Sequence, residues 1–375
     1  MSNHSKTAEG QSTPAPEPDH AARLFNGQPQ VGVGVYDGLS SLLAAKWHFD
    51  FMWVSSFCCS AAAGLPDAGI IGPEEMLGVV RCVHRCADLP IVVDLDSGYG
   101  DAVKAFHVVE AMARAGAAAL CIEDNPISKR CSLYAGYERA LVSVGEHIAR
   151  VRAARAGVAQ ARSTCRVIAR TEALVAGLGV DEALRRAGAY ADAGADAVFI
   201  QSLDSTGEEV LTFGRQWRRR TPLFIAPTRL PQVTKKDFFS AGISHTMFAN
   251  HGLRAAHTAV DRTFRILAGA ECSQAIEAEI SPVAEVASVV GAGKVVELEA
   301  FLAAQQTQKG KGGAGVSRQL RGKGARTLGC EGAEVGKAPE GSKAQPAPAF
   351  PLPKGRAPAG GLAAGKLACA SGVIN

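Results

Sequence analysis

Chemistry-bearing side chains recur at one kind of place in this chain, the polar end of a short apolar run. Such runs end in Trp53, Ser55 and Ser56, in Asp94 and Asp96, in Glu123 and Asp124, in Arg170 and Glu172, in Gln201, in Thr228 and in Asn250. Carboxylates from neighbouring runs beside one arginine would make an oxygen-rich site for a hard cation and an anionic ligand. Magnesium suits that set better than zinc, because it contains no histidine and Mg²⁺ takes carboxylate, water and substrate oxygens. A long polar stretch, Asn125 to Tyr134, follows Asp124 and has the character of a segment that closes over a site mouth. In it Lys129 stands two residues from Cys131, a spacing at which an ammonium can lower a thiol pKa and create a reactive group. His107 and His147 fall on predicted helices and are expected at the surface. His251 follows the last run and is placed to approach the mouth.

These residues need a frame that brings the run ends together. Eight apolar runs lie between residues 31 and 250: Val31 to Tyr36, Phe51 to Ser56, Ile91 to Asp96, Ala119 to Asp124, Val167 to Glu172, Ala197 to Ser202, Leu223 to Thr228 and His245 to Asn250. They are nearly continuous in apolar residues, as strands buried on both faces are. Between them lie helical patterns such as Ala102 to Ala115 and Val180 to Ala193, each followed by glycine. The stretches EAMARAGAAALCIED from Glu110 and AYADAGADAVFIQS from Ala189 repeat one unit of helix end, glycine turn and strand. Eight such units predict an α/β fold, a (β/α)₈ TIM barrel, whose site lies at the C-terminal ends of the strands. A doubly wound open sheet is the competitor, but the first turn, Asp37 to Ser40, lacks its Gly-rich signature. Leu253 to Ala268 reads as the eighth helix, and Ser281 to Ala304 as helical material that could pack on a neighbouring subunit.

Composition sets the outer limits. Of 375 residues 47% are hydrophobic, enough for a large core. Residues 307–375 hold 11 basic and 3 acidic residues, net +8, against 29 and 33, net −4, in the rest. The expected organisation is therefore a disordered N-terminal segment (1–28), a barrel with a C-terminal helical extension (29–306) and a disordered Gly/Ala/Pro/Lys/Arg-rich tail (307–375). The tail lacks the interleaved aromatics of a nucleic-acid binder, so no nucleic-acid partner is expected. The ten cysteines are irregularly spaced and fit a reducing compartment, and Cys82 and Cys86 lack the second pair a zinc site needs. With neither a signal-peptide core nor a membrane-length apolar run, the expectation is a cytoplasmic protein without a membrane partner.

The ordered motifs VDLDSGYGD (Val93 to Asp101), CIED ending at Asp124, KRCS from Lys129, IARTEALVAGLG from Ile168 and ANHGLRAA from Ala249 resemble the phosphoenolpyruvate mutase/isocitrate lyase superfamily over roughly residues 30–300. The resemblance implies a barrel whose last helix is swapped within a homodimer or homotetramer, and Mg²⁺ chemistry on 2-oxo acids. It makes Asp94 the direct metal ligand, with Asp96, Glu123 and Asp67 holding its waters. Trp53, Ser55 and the following amides of Ser56 and Phe57 would bind the substrate carboxylate and oxo group, and Arg170 its anionic end. Lys129, Cys131 and Ser132 would belong to a gating loop, with Asp67 near a transferred group.

WVSSF at Trp53, SAAAGLPD ending at Asp67, and Glu172 with its following AGLG resemble the phosphonate branch. The loop EDNPISKRCS departs from that branch's EDK-x-FPK pattern towards the KRC of the lyases, and Gln201 stands where the branch has histidine. The leading expectation is interconversion of phosphoenolpyruvate and phosphonopyruvate, with a 2-oxo acid or phosphonate as the small-molecule partner. The alternatives are hydrolysis of phosphonopyruvate, carbon-carbon cleavage of a 2-hydroxy di- or tricarboxylate using Cys131, and a barrel kept only for binding.

Overall fold

The computed structural model of the chain describes residues 19–134 and 139–316. It divides into two units, Met1–Thr307 and Gln308–Asn375; the first contains the barrel. Eight strands, β1 (Gln30–Val35), β2 (Phe51–Val54), β3 (Ile91–Asp94), β4 (Ala119–Glu123), β5 (Arg166–Thr171), β6 (Ala197–Ile200), β7 (Leu223–Ile225) and β8 (His245–Phe248), pair in parallel and close in chain order. The β1–β8 pairing that closes the ring sets Gln30 against His245. Most strands stop one to three residues before the apolar run does. Trp53, Asp94, Glu123 and Arg170 lie at the C-terminal ends of their strands, Ser55, Asp96, Asp124, Glu172, Gln201, Thr228 and Asn250 stand just above the sheet, and Ser56 opens the helix that follows β2.

Three apolar layers follow from strands with two buried faces. Phe51, Trp53, Ile168, Phe199, Phe224 and Met247 fill the barrel interior with Leu24. Outside, Val54, Val93, Leu120 and Val167 meet the helices on one side, and Val198, Ile200, Leu223 and Ile225 on the other. Leu24 corrects an expectation: the N-terminal segment is ordered from Asp19, whose carboxylate caps the helix His20–Leu24. That helix plugs the barrel floor, with Leu24 fully buried and its carbonyl 2.9 Å from His245 Nε2. Residues 1–18 and 317–375, which carry the rest of the expected disorder, lie outside the described residues. The helix Ala292–Val316 runs into the segment expected to be disordered from 307.

Two local features fix the mouth. Gly34 has no room for a side chain, since a Cβ there would stand 1.8 Å from the Ala249 carbonyl. After β3 the chain turns through positive φ at Asp96 (51°), Gly98 (86°) and Tyr99 (61°), and non-glycine residues adopt this region only where the surroundings hold them. The hold is visible: the Glu123 amide donates 2.8 Å to the Asp96 carbonyl.

His147 is a second correction. It lies on the helix Val144–Ala161 as expected but is fully buried, one turn from buried Arg150 and Val151, because this face packs between the helices Ala102–Arg114 and Gly179–Asp192. His107 is exposed, as expected. The helix after β8, His251–Gly269, buries no residue against this chain and leaves Phe264 67% exposed. Val283, Val295, Val296, Leu298 and Phe301 on the two helices beyond it, Val283–Val289 and Ala292–Val316, are exposed as well. The helical material expected over Ser281 to Ala304 is present as these two helices, with Gly291 at φ 79° between them.

Candidate active site

A pocket opens at the C-terminal ends of the strands, lined by Trp53, Ser55, Ser56, Phe57, Asp67, Asp94, Lys129, Cys131, Ser132, Arg170 and Gln201, with Thr228 and Asn250. Trp53 is held edge-on to Phe199, ring centroids 5.5 Å apart. Ser55 caps the helix Ser56–Ala62, its hydroxyl accepting from the Cys58 amide at 3.3 Å. Asn250 donates to the Thr228 hydroxyl at 3.2 Å.

The acids gather on one side. Ser56 Oγ donates to Asp94 Oδ2 at 2.8 Å, and the Asp96 amide faces Asp94 Oδ1 at 3.4 Å. Asn125 Nδ2 donates to Glu123 Oε1 at 2.9 Å. Lys129 reaches in from the polar loop: its Nζ donates to Asp67 Oδ1 at 2.6 Å and Ser56 Oγ at 2.8 Å and contacts Asp96. Burial alone would lower the Lys129 pKa, but Asp96, Asp67, Asp94 and Glu123 overcome it and hold the ammonium charged well above its ordinary range. Burial pushes Asp96 up to about 6 against the pull of Lys129, and Glu123 up to about 8 against that of Arg170.

The expected pairing of Lys129 with Cys131 is not formed. The ammonium serves the carboxylates, while burial, and then the charge of Asp67, push the Cys131 thiol up to about 12. Residues two apart in an irregular loop can point in different directions, which spacing alone does not reveal.

Arg170 forms the second charged group. It grips Glu172 at 2.6 Å, lies 3.3 Å from Glu123 Oε2 and stacks over Phe199, guanidinium carbon to ring centroid 4.8 Å. Ser132 ties the loop to it, accepting from Arg170 at 2.8 Å and donating to Glu172 Oε2 at 2.6 Å.

Two run-end or mouth candidates turn out otherwise. Asp124 faces away from the pocket and accepts from Thr171 Oγ1 (2.9 Å), the Glu172 amide (2.8 Å), Tyr190 (2.8 Å) and Arg186 (3.2 Å). It is a support beneath Glu172. Tyr190 and Arg186 were not among the expected residues; their only sequence signal is a spacing of four on the buried face of one helix. His251 does not line the pocket but packs edge-on to Phe248.

The family model described as phosphoenolpyruvate phosphomutase matches residues 22–268. The chain belongs to the phosphoenolpyruvate phosphomutase family. It is 34% identical over 280 residues to phosphonopyruvate hydrolase of Variovorax sp. (strain Pal2), covering 74% of this chain and 96% of that one. It is 36% identical over 255 residues to phosphoenolpyruvate phosphomutase of Streptomyces hygroscopicus, covering 68% and 80%. Among solved structures, phosphonopyruvate hydrolase in complex with oxalate and Mg²⁺ superimposes with TM-score 0.69 at 32% identity, over 75% of this chain and 97% of that one. This phosphomutase family member is thus an enzyme with the barrel fold its sequence predicts.

Whether the family member's acids suit a divalent cation can be asked of their geometry. Among the described residues no three metal-binding side chains form a ready-made cage. Asp96 Oδ2 is nevertheless buried without a hydrogen-bond partner, a costly state that a hydrated cation would relieve, whereas Glu123 Oε2 makes no hydrogen bond but faces the Arg170 guanidinium at 3.3 Å. An all-oxygen donor set with room for water fits Mg²⁺, which keeps several waters and needs few direct ligands.

Proposed function

We propose that this enzyme interconverts phosphoenolpyruvate and phosphonopyruvate. One observation carries the choice of isomerisation over hydrolysis: Asp67, Lys129 and Cys131, which would surround the moving group, are each only 4% exposed. Isomerisation breaks the phosphorus-carbon bond and re-forms phosphorus-oxygen at the enolate oxygen of the same molecule, so water must be kept from the phosphoryl unit. Burial of these three side chains supports a site that limits water around the phosphoryl unit.

The residues divide the work. Ser55 and the amides of Ser56 and Phe57 bind the 2-oxo carboxylate, with Trp53 as the wall beneath. Asp94 would hold Mg²⁺ directly, with Asp96, Glu123 and Asp67 on its waters; the ion would supply Lewis-acid stabilisation of enolate charge. Arg170, fixed by Glu172 and Ser132, binds the anionic end, and its preset geometry spends no reorganisation on the developing charge. Lys129 offers an ammonium to the phosphoryl oxygens. Gln201, uncharged, contributes hydrogen bonds only. Cys131, held as a thiol, packs against Asp67 and exchanges no proton, which disfavours carbon-carbon cleavage through it.

The exposed apolar faces of the helices from His251 onward support a homodimer or homotetramer in which a second copy covers them. Among the described residues no helix is long and apolar enough to cross a membrane.

Phosphorus NMR of the protein with phosphonopyruvate and Mg²⁺ tests the reaction. Conversion to phosphoenolpyruvate, lost with EDTA and in Asp67→Ala, is the expected result. Free phosphate would make the enzyme a hydrolase, and an unchanged phosphonate signal would refute chemistry at phosphorus.

A further inference from the structure

Ser132 touches both Arg170 and Glu172, so whatever holds Ser132 helps to fix the anion-binding end of the pocket. Ser132 is the second residue of a tight turn, Cys131 to Tyr134, closed by the Tyr134 amide donating 3.0 Å to the Cys131 carbonyl. Three carbonyls of this turn meet at one guanidinium. Arg139 Nη2 donates to those of Cys131 at 3.0 Å, Ser132 at 3.1 Å and Tyr134 at 2.7 Å. Its Nη1 lies 3.5 Å from the Arg130 carbonyl, just before the turn. Cys131 and Ser132 are buried, where a carbonyl without a donor is costly, so the turn draws its partners from this cation. The far end of the turn braces the acid cluster, since the Tyr134 hydroxyl accepts from the Asp67 amide at 3.2 Å.

We infer that Arg139 is a positioning residue for the reaction proposed above: it sets the Cys131 to Tyr134 turn so that Ser132 meets Arg170 and Glu172. The inference rests on that reading of the pocket, which Arg139 itself does not line. The contact calls for arginine. A guanidinium presents several N–H donors in one rigid plane and can serve neighbouring carbonyls together, whereas a lysine ammonium is a compact charge on a flexible stem. Without the guanidinium the carbonyls of Cys131, Ser132 and Tyr134 lose their shared donor, the turn relaxes, and the Ser132 hydroxyl shifts from Arg170. A misplacement of about 1 Å in a reacting site can cost about a hundredfold in rate. Arg170 stays in the pocket, still held by Glu172 and Glu123, so the loss falls on kcat and leaves substrate binding nearly intact.

Two measurements on the full chain test this. In the first, with phosphonopyruvate and Mg²⁺, Arg139→Ala should lower kcat about a hundredfold with KM within about threefold of wild type, and Arg139→Lys should fall between the two. Guanidinium chloride at a non-denaturing concentration should restore kcat of Arg139→Ala at least about tenfold by refilling the place of the lost side chain. Sodium chloride at the same concentration should restore nothing, a contrast that a merely destabilised variant would not give. A kcat in Arg139→Ala within about threefold of wild type overturns the inference, as does a loss carried by KM alone or one that guanidinium leaves unchanged. If Arg139→Ala does not fold, Arg139→Lys is read by the same split between kcat and KM. The second measurement needs no turnover: limited trypsin cleavage after Arg130, followed by mass spectrometry, should be several-fold faster in Arg139→Ala or Arg139→Lys than in wild type, and equal rates overturn the inference. If wild type leaves phosphonopyruvate unchanged, the proposed reaction fails, and the cleavage rates alone decide whether Arg139 sets the turn.

Discussion

The Tyr190 hydroxyl donates 2.8 Å to Asp124 Oδ2, while the other oxygen of the same carboxylate accepts from the Glu172 amide at 2.8 Å. A helix outside the barrel is thereby connected, through one carboxylate, to the residue that orients Arg170. Tyr190→Phe removes a hydrogen bond to a charged group and is expected to cost about 1.5–3 kcal/mol of stability. Urea unfolding should show a lower midpoint at unchanged slope; an unchanged midpoint would mean the bond contributes nothing.

Arg170 balances Glu123 and Glu172 in a buried setting. Arg170→Ala leaves both acids unpaired, a change that costs about 3–5 kcal/mol in buried ion pairs. Arg170→Lys keeps the charge but loses the planar fork that meets Glu172, Glu123 and Ser132 together. For the lysine variant kcat/KM should fall at least about a hundredfold, from loss of preset electrostatic stabilisation, with the fold retained by circular dichroism. Near-normal kcat/KM would remove Arg170 from the anion-binding role.

Cys131 is a buried thiol whose pKa is pushed up to about 12, mainly by burial. It is uncharged at neutral pH, so Cys131→Ser, which keeps size and a donor, should change kcat by less than about threefold if no proton passes through it. A loss of several orders of magnitude, with product formed from a hydroxy-diacid in the wild type, would favour the lyase reading.

Acid stability offers a signed test. Burial lowers His245 to about 4 and His147 to about 3, from ordinary values near 6.5. Below pH 6.5 the unfolded chain therefore binds protons that the folded chain refuses. The stability these rings provide is fully present above 6.5 and is lost as pH falls towards 4 and 3, at about 1.4 kcal/mol per pH unit for each ring once well below 6.5. Asp96 and Glu123, whose pKa values burial raises, act in the opposite sense: the folded chain takes up their protons first as pH falls. The readout is accordingly the difference between wild type and His147→Leu in urea midpoints at pH 7 and pH 5. The variant should lose less stability on acidification, and an identical loss in both proteins would show that His147 is accessible to protons when folded.

The barrel and the ring of site residues could be read from the order of amino acids alone. Strands buried on both faces must be apolar throughout, so the runs from Val31 to Asn250 are visible without coordinates, and a parallel closed sheet sends all their C-terminal ends to one face. Asp94, Asp96, Glu123 and Arg170 are therefore neighbours by topology alone. Tertiary structure decided where each side chain points once the strand has ended. Run-end position does not distinguish Asp124, turned outward to Tyr190 and Arg186, from Glu123, which meets Arg170. It does not distinguish a lysine that activates Cys131 from one that neutralises Asp67 and Asp96, because loop direction is set by contacts tens of residues distant. Nor does helical periodicity reveal that His147 lies between two helices, since burial of a polar ring depends on what packs against that face.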